Sequence, residues 1–114
     1  KSANYSGQFI VLRHYGVPLR DIARMYLAGG FANYVNVRSA SDIGFIANMP
    51  PEKIVKVGNA SLEGATIMLV SRKMRRKAEE MTRLIEHLEL ETTSDFFDIF
   101  VEGCMFKPMD LDLS

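Results

Sequence analysis

The sequence predicts an α/β fold in which a small, mostly parallel sheet is flanked by helices. Two observations indicate this class. Short apolar or β-branched runs alternate with longer segments whose apolar residues recur at helical spacing. The first two predicted strands also run directly into glycine, at Gly29-Gly30 and at Gly58. Because strands that alternate with helices form right-handed crossovers, we expect these two strands to be parallel neighbours.

The first elements follow the turn signals of the chain. A helix is predicted over residues 2–15, and Gly16 is well placed to end it. The apolar stripe of this helix consists of Tyr5, Phe9 and Leu12. Pro18 can open a single turn after the helix. Residues 24–28 then form a short apolar run that is typical of a buried strand.

The middle of the chain contains two predicted helix starts and a second strand. Asn36 is a suitable N-cap for a short helix over residues 37–43. Residues 53–57 are rich in β-branched side chains and end at a glycine, which predicts the second strand. Asn59 then caps a predicted helix over residues 60–70.

The last third of the chain is predicted to contain two helices, a third strand and a tail. Residues 72–82 continue as helix, either separately or after a kink. The imperfect alternation over residues 84–90 predicts an edge strand. Ser94 is placed to cap a last helix that Gly103 ends. Residues 107–114 are interpreted as a short free tail.

The composition is that of a globular domain with balanced charge. The chain has 114 residues, of which 14 are basic and 14 acidic, and this balance disfavours nucleic acid as a partner. No apolar run approaches the about 18 residues of a membrane span. The single Cys104 excludes an internal disulfide and an all-cysteine iron–sulfur site in this chain, and it favours a reduced, cytoplasmic setting. It is interpreted as a buried small hydrophobe.

The clearest chemical signal is the segment Leu27–Tyr34, in which two glycines follow a predicted strand. Open α/β sheets bind ligands beyond the carboxyl ends of their strands, and Gly29-Gly30 let the backbone approach a flat ligand closely. Asn33 is near enough to help bind a ribose or a base. Taken alone, the residues favour a simpler interpretation, a tight turn between strand and helix. They match neither a Walker phosphate loop nor the full G-x-G-x-x-G pattern, so those two sites are rejected.

The remaining residues predict no catalytic site and no metal site. His14 and His87 lack sequence neighbours for a metal pair or a triad. Gly64-Ala65 offer a flat face for close packing on the sheet. The basic run at residues 72–77 is predicted to be a solvated helix face, with partner docking as the second interpretation. Two pairs at helical spacing support the solvated face, namely Arg75 with Glu79 and Arg76 with Glu80.

Several segments together resemble a known family. They are Ala28-Gly29-Gly30-Phe31-Ala32-Asn33-Tyr34, Ala40, Ile43-Gly44, Val57-Gly58-Asn59, Gly64-Ala65, Leu88-Glu89-Leu90 and Phe96. The chain resembles the carboxyl-terminal part of the ATP-dependent reductive activators of corrinoid proteins, in the acetate and sugar kinase, Hsp70 and actin superfamily. The resemblance runs from Lys1 to about Pro108 and covers a small fraction of the family's full length. It implies that residues 1–106 form one lobe of an actin-like ATPase domain, in a fragment of a longer protein.

The resemblance also implies a function and a site. The family uses ATP to drive reduction of Co(II) to Co(I) on a corrinoid protein of a methyltransferase system. Carried over by position, Gly29, Gly30, Phe31 and Asn33 would face the nucleotide. Upstream sequence would supply the phosphate loops, the carboxylate for Mg and the cysteines of an iron–sulfur cluster, so the fragment itself is expected to be inactive. The family usually has Gly at Ala32, whose methyl group is expected to tilt the turn or narrow the ribose contact.

Two other functions stay open at this point. One is a small-molecule kinase lobe of the same superfamily. The other is a protein-interaction module that has lost nucleotide binding. Ala32 suggests this alternative, because the family usually has Gly at this position. A homodimer is also compatible with the sequence. The identity of the residues that precede Lys1 would separate these alternatives.

Overall fold

The computed structural model describes residues 1–111 of the chain. The helices are α1 (Ser2–Tyr15), α2 (Val37–Asp42), α3 (Ala60–Val70), α4 (Arg72–Thr82) and α5 (Phe96–Glu102), and the strands are β1 (Met25–Ala28) and β2 (Ile54–Gly58). Single 3₁₀ turns at Leu19–Asp21 and Pro51–Lys53 complete the regular structure. The two strands are parallel neighbours in one small sheet, so the predicted α/β class and the predicted strand pairing are confirmed.

The chain divides into two compact units. Among the described residues, the larger unit comprises Lys1–Tyr26, Val35–Val55 and residues 88–111, and the smaller unit comprises Leu27–Tyr34 and Lys56–His87. The hydrophobic core cluster belongs to the larger unit. Its buried members are Tyr5, Ile10, Leu19, Ala47, Met49, Ile99, Met109 and Leu111.

Helix α1 packs against α5 in the larger unit. The helix ends as predicted at Gly16, whose left-handed conformation (φ +63°) suits a residue without a Cβ. At the end of α5, a Cβ on Gly103 would lie only 2.9 Å from Cδ1 of Tyr5, so glycine allows the close approach of the two segments. The Arg13 guanidinium donates two hydrogen bonds to the Asp95 carboxylate, at 2.6 and 2.8 Å, and joins α1 to the start of α5.

Local capping explains the other helix starts. The Asn36 side chain accepts a hydrogen bond from the Ser39 amide, and the Asn59 side chain accepts one from Leu62, so both predicted caps are confirmed. Ser71 separates α3 from α4 and caps α4 through the Met74 amide. The predicted Ser94 cap is wrong, because Asp95 occupies the N-cap position of α5. Its carboxylate makes no cap bond and pairs with Arg13 instead.

The predicted third strand is absent, since residues 84–90 adopt irregular structure. Glu86 interrupts the alternation of leucines, so the segment presents no continuous apolar face that a sheet could bury. Leu84 and Ile85 are exposed, whereas Leu90 packs on the core cluster. The prediction that residues 24–28 form a buried strand is also wrong, because Tyr26 in β1 is 60 % exposed.

The predicted free tail is packed over the part that the structure describes. Met109 is fully buried and Leu111 nearly so, and both belong to the core cluster. Met109 forms a parallel bridge with Ala47, and its carbonyl accepts a hydrogen bond from the Asn48 amide at 3.1 Å. The alternation of apolar and acidic residues at 109–111 is the signal for this pairing. The last three residues of the predicted tail, 112–114, lie outside the described residues.

Candidate functional site

The candidate site lies in the smaller unit, where β1 and β2 end. The Gly29 amide donates a hydrogen bond to the Gly58 carbonyl at 2.7 Å, so both glycines lie at the same edge of the sheet. Both have positive φ, +113° for Gly29 and +63° for Gly58. L-residues rarely adopt these conformations, which explains why each strand ends at a glycine.

A tight turn follows β1. The Ala32 amide donates to the Gly29 carbonyl at 3.1 Å, and the Tyr34 amide donates to the Phe31 carbonyl at 3.0 Å. These bonds make the segment a turn, as the residues alone favoured. The turn presents two aromatic rings outward, because Phe31 and Tyr34 are each 85 % exposed.

The two glycines of this turn have different roles. Gly29 is required by the backbone, since its φ lies in the left-handed region. Gly30 does not have a positive φ, and a Cβ built on it would meet no atom within 4 Å. Neither the backbone nor packing therefore requires glycine at position 30. The space beside Gly30 is open to a ligand.

Asn33 lies against the end of the second strand. Its amide nitrogen and oxygen lie 3.5 and 3.9 Å from the position that a Cβ on Gly58 would occupy. The Lys56 ammonium, on β2, donates to the Asn33 carbonyl at 3.4 Å. The predicted site residues Gly29, Gly30, Phe31 and Asn33 thus share one turn. Lys56, which sequence reasoning did not single out, also contacts this turn.

Ala32 lies on the covered side of the turn. The residue is only 5 % exposed, whereas its neighbours Phe31 and Asn33 are exposed. Its methyl group is therefore almost wholly shielded from solvent. The expectation that this methyl group tilts the turn or narrows the ribose contact stays a prediction.

Helix α3 begins directly after the end of β2. The Asn59 carboxamide oxygen accepts from the Leu62 amide at 3.1 Å, so this side chain is used in capping. Further along α3, the prediction of close packing at Gly64-Ala65 is wrong. A Cβ on Gly64 would meet no atom within 4 Å, and Ala65 is exposed.

Other groups that sequence analysis weighed lie outside this turn. Cys104 is exposed, contrary to the prediction of burial, and accepts a hydrogen bond from the Ser2 hydroxyl at 3.2 Å. Within residues 1–111, no three His, Cys, Asp or Glu side chains cluster as metal ligands would. Over the same residues, no helix is long and apolar enough to cross a membrane.

The pKa shifts of the larger unit come from ion pairs and burial. The hydrogen bonds from Arg13 lower the pKa of the Asp95 carboxyl below its ordinary value. Burial raises the pKa of the Tyr5 hydroxyl. The hydrogen bond to Glu102 raises the pKa of the Lys107 ammonium. All of these groups lie outside the turn that follows β1.

Comparison with known proteins assigns the chain to a family. Residues 1–114 match the family model described as "C-terminal domain of RACo the ASKHA domain". The chain is also 28 % identical over 106 residues to the corrinoid activation enzyme RamQ of Eubacterium limosum, an alignment that covers 93 % of this chain and 18 % of that protein. The chain thus spans less than a fifth of the length of that relative. The resemblance to corrinoid activators is confirmed, and the chain belongs to the family of RACo C-terminal ASKHA domains.

Proposed function

We propose that this chain is the nucleotide-binding lobe of an activator that uses ATP to drive reduction of a Co(II) corrinoid to Co(I) in a methyltransferase system. Its family and its similarity to a corrinoid activation enzyme support this proposal. The observation that carries it is the bond between Gly29 and Gly58, because it brings both strand ends to one edge of the sheet. Ligands of open α/β sheets bind at such edges.

The residues of the turn fit an adenosine group. Gly29 sets the backbone conformation, and Gly30 leaves room for the nucleotide to approach the main chain. The exposed ring of Phe31 offers a flat apolar face to adenine. The exposed Asn33 amide can donate to and accept from a ribose or a base. These four residues hold the nucleoside, and they leave the triphosphate to other parts of the activator.

The rest of the mechanism belongs to the complete activator. The phosphate loops, the carboxylate for Mg and the iron–sulfur cluster come from outside this chain, which has one cysteine. ATP acts by binding one arrangement of the activator more tightly than another, because a ligand shifts an equilibrium only by its differential affinity. The partner is a corrinoid protein of the methyltransferase system, and the activator works in the cytoplasm.

The test replaces Gly30 in the complete activator. Gly30→Ala and Gly30→Val add side chains that the fold accommodates, so the melting temperature should stay constant. The dissociation constant for a non-hydrolysable ATP analogue should rise, more for Val than for Ala. Gly64→Ala is the matched control, because position 64 is equally open and lies outside the turn. Unchanged nucleotide affinity in Gly30→Val would overturn the proposal and favour an interaction module that does not bind nucleotide.

A further inference from the structure

The strongest unexplained feature outside the candidate site is the basic face of α4. It consists of Arg72, Lys73, Arg76 and Lys77. These residues and Glu80 follow one another along one exposed face of α4 in the smaller unit. All four basic side chains are exposed, and within the described residues none of them forms an ion pair.

The predicted pairs along this helix do not form in the described residues. Arg75 turns away from Glu79 and donates to the Met68 carbonyl, at 2.8 Å from Nη2 and 3.2 Å from Nε, so it satisfies the carboxyl end of α3. Arg76 is not in ion-pair contact with Glu80. Arg75 therefore has a structural role. The four residues of the basic face form no ion pair within the described residues that would give them one.

The order of charges along α4 also opposes helix stability. No acidic residue lies in the first turn and no basic residue in the last turn. Arg72 and Lys73 sit at the positive end of the helix dipole, and Glu79 and Glu80 sit toward the negative end. A helix face that is merely solvated gains nothing from this arrangement, because each charge is repelled by its end of the dipole. Local violations of this kind are typical of functional surfaces.

The neighbouring residues indicate which kind of partner fits. Leu69 and Val70 end α3, are separated from α4 by Ser71 alone, and are exposed, so the surface combines apolar and basic groups as protein interfaces do. Residues 60–87 contain no Phe, Tyr or Trp, whereas proteins that bind single-stranded nucleic acids or membrane interfaces use such rings. These observations favour an acidic protein surface.

We propose that the basic face of α4 is the docking surface for an acidic face of the corrinoid protein. This inference rests on the proposed function, because it names where the partner of that function binds. The four cations concentrate a positive potential that the helix dipole reinforces, and such fields accelerate encounter with a negatively charged partner. Leu69 and Val70 provide the apolar part of the contact.

The test uses the complete activator with Arg76→Gln/Lys77→Gln. The probe is a corrinoid protein of a methyltransferase system in the Co(II) state. The dissociation constant of the complex should rise about fivefold to tenfold at low salt, and the difference should fall below about twofold near 0.5 M salt. The matched control is Arg24→Gln/Arg38→Gln, which removes two exposed cations of the larger unit and should change binding by less than about twofold.

The outcomes separate this inference from the proposed function. Nucleotide affinity should be unchanged in both double variants. If the α4 variant binds the corrinoid protein as tightly as the control does, the docking surface is wrong and the proposed function stands. If the α4 variant instead changes the mass of the free activator in solution, the face binds a second copy and the docking inference is overturned. If the unaltered activator binds no corrinoid protein, both proposals fail.

Discussion

The two units of the molecule bury their apolar residues to very different degrees. The larger unit holds the core cluster, with the fully buried Met109 and the packed pair of α1 and α5. In the smaller unit, α3 and α4 contain no buried residue, although α3 is apolar on nearly all sides. A helix with apolar residues all round is normally a covered helix. We therefore interpret the larger unit as the stable body of this chain; the smaller unit carries both proposed binding surfaces.

The largest expected effect is in the core of the larger unit. Met109→Ala should lower the free energy of unfolding by about 2–5 kcal/mol, because the side chain is fully buried. Leu69→Ala in the smaller unit is the matched truncation and should cost less than about 0.5 kcal/mol. Urea unfolding of both variants measures the contrast. Equal losses would show that the two units share one core.

Substitution of one glycine in each unit tests the same difference in packing between the two units. A Cβ on Gly44 in the larger unit would collide with the Lys107 carbonyl oxygen, and Gly44 has φ +70°. Gly44→Ala should therefore destabilise the fold by about 2 kcal/mol or more. Gly64→Ala in α3 meets no atom and should be neutral or stabilising by about 0.5–1 kcal/mol. Thermal unfolding of the two variants measures whether their stabilities change in opposite directions. A loss of stability in Gly64→Ala would contradict the open space that the structure shows beside Gly64 on α3.

The Arg13–Asp95 pair should make the larger unit sensitive to acid. The pKa of Asp95 is lowered in the folded protein by the hydrogen bonds from Arg13. Its contribution to stability is therefore present above the ordinary carboxyl pKa and is lost as pH falls through the lowered value. Asp95→Asn should reduce stability at neutral pH and make no difference at the acid end of the range. A double-mutant cycle with Arg13→Gln tests this, and coupling that persists in strong acid would argue against it.

The smallest expected change in stability is at Phe31. Its ring is exposed, so Phe31→Ala should change the melting temperature by less than about 2 °C. The same variant should weaken ATP-analogue binding by the complete activator, because the ring is proposed to face adenine. Tyr34→Ala, at an equally exposed ring of the same turn, is the control and should leave affinity nearly unchanged. If both variants keep full affinity, the adenine contact is not at Phe31.

Local signals in the sequence determined most of the secondary structure. Gly16, Asn36 and Asn59 act on amides or carbonyls within a few residues of themselves, so their caps follow from the sequence alone. The strand ends at Gly29 and Gly58 follow for the same reason, since the backbone conformation there excludes most side chains. The turn that carries the candidate site residues was likewise identified from sequence.

Tertiary structure decided whatever depended on a distant partner. Met109 is buried because it pairs with Ala47. The Asp95 carboxylate accepts hydrogen bonds from Arg13 and does not cap the helix that follows it. Residues 84–90 have enough leucines for a strand, but Glu86 leaves them without an apolar face for a sheet to bury. In the site, only the folded chain brings Asn33 against Gly58 and buries Ala32. Capping and turn energies act between near neighbours, whereas burial and pairing depend on segments that the chain must first bring together.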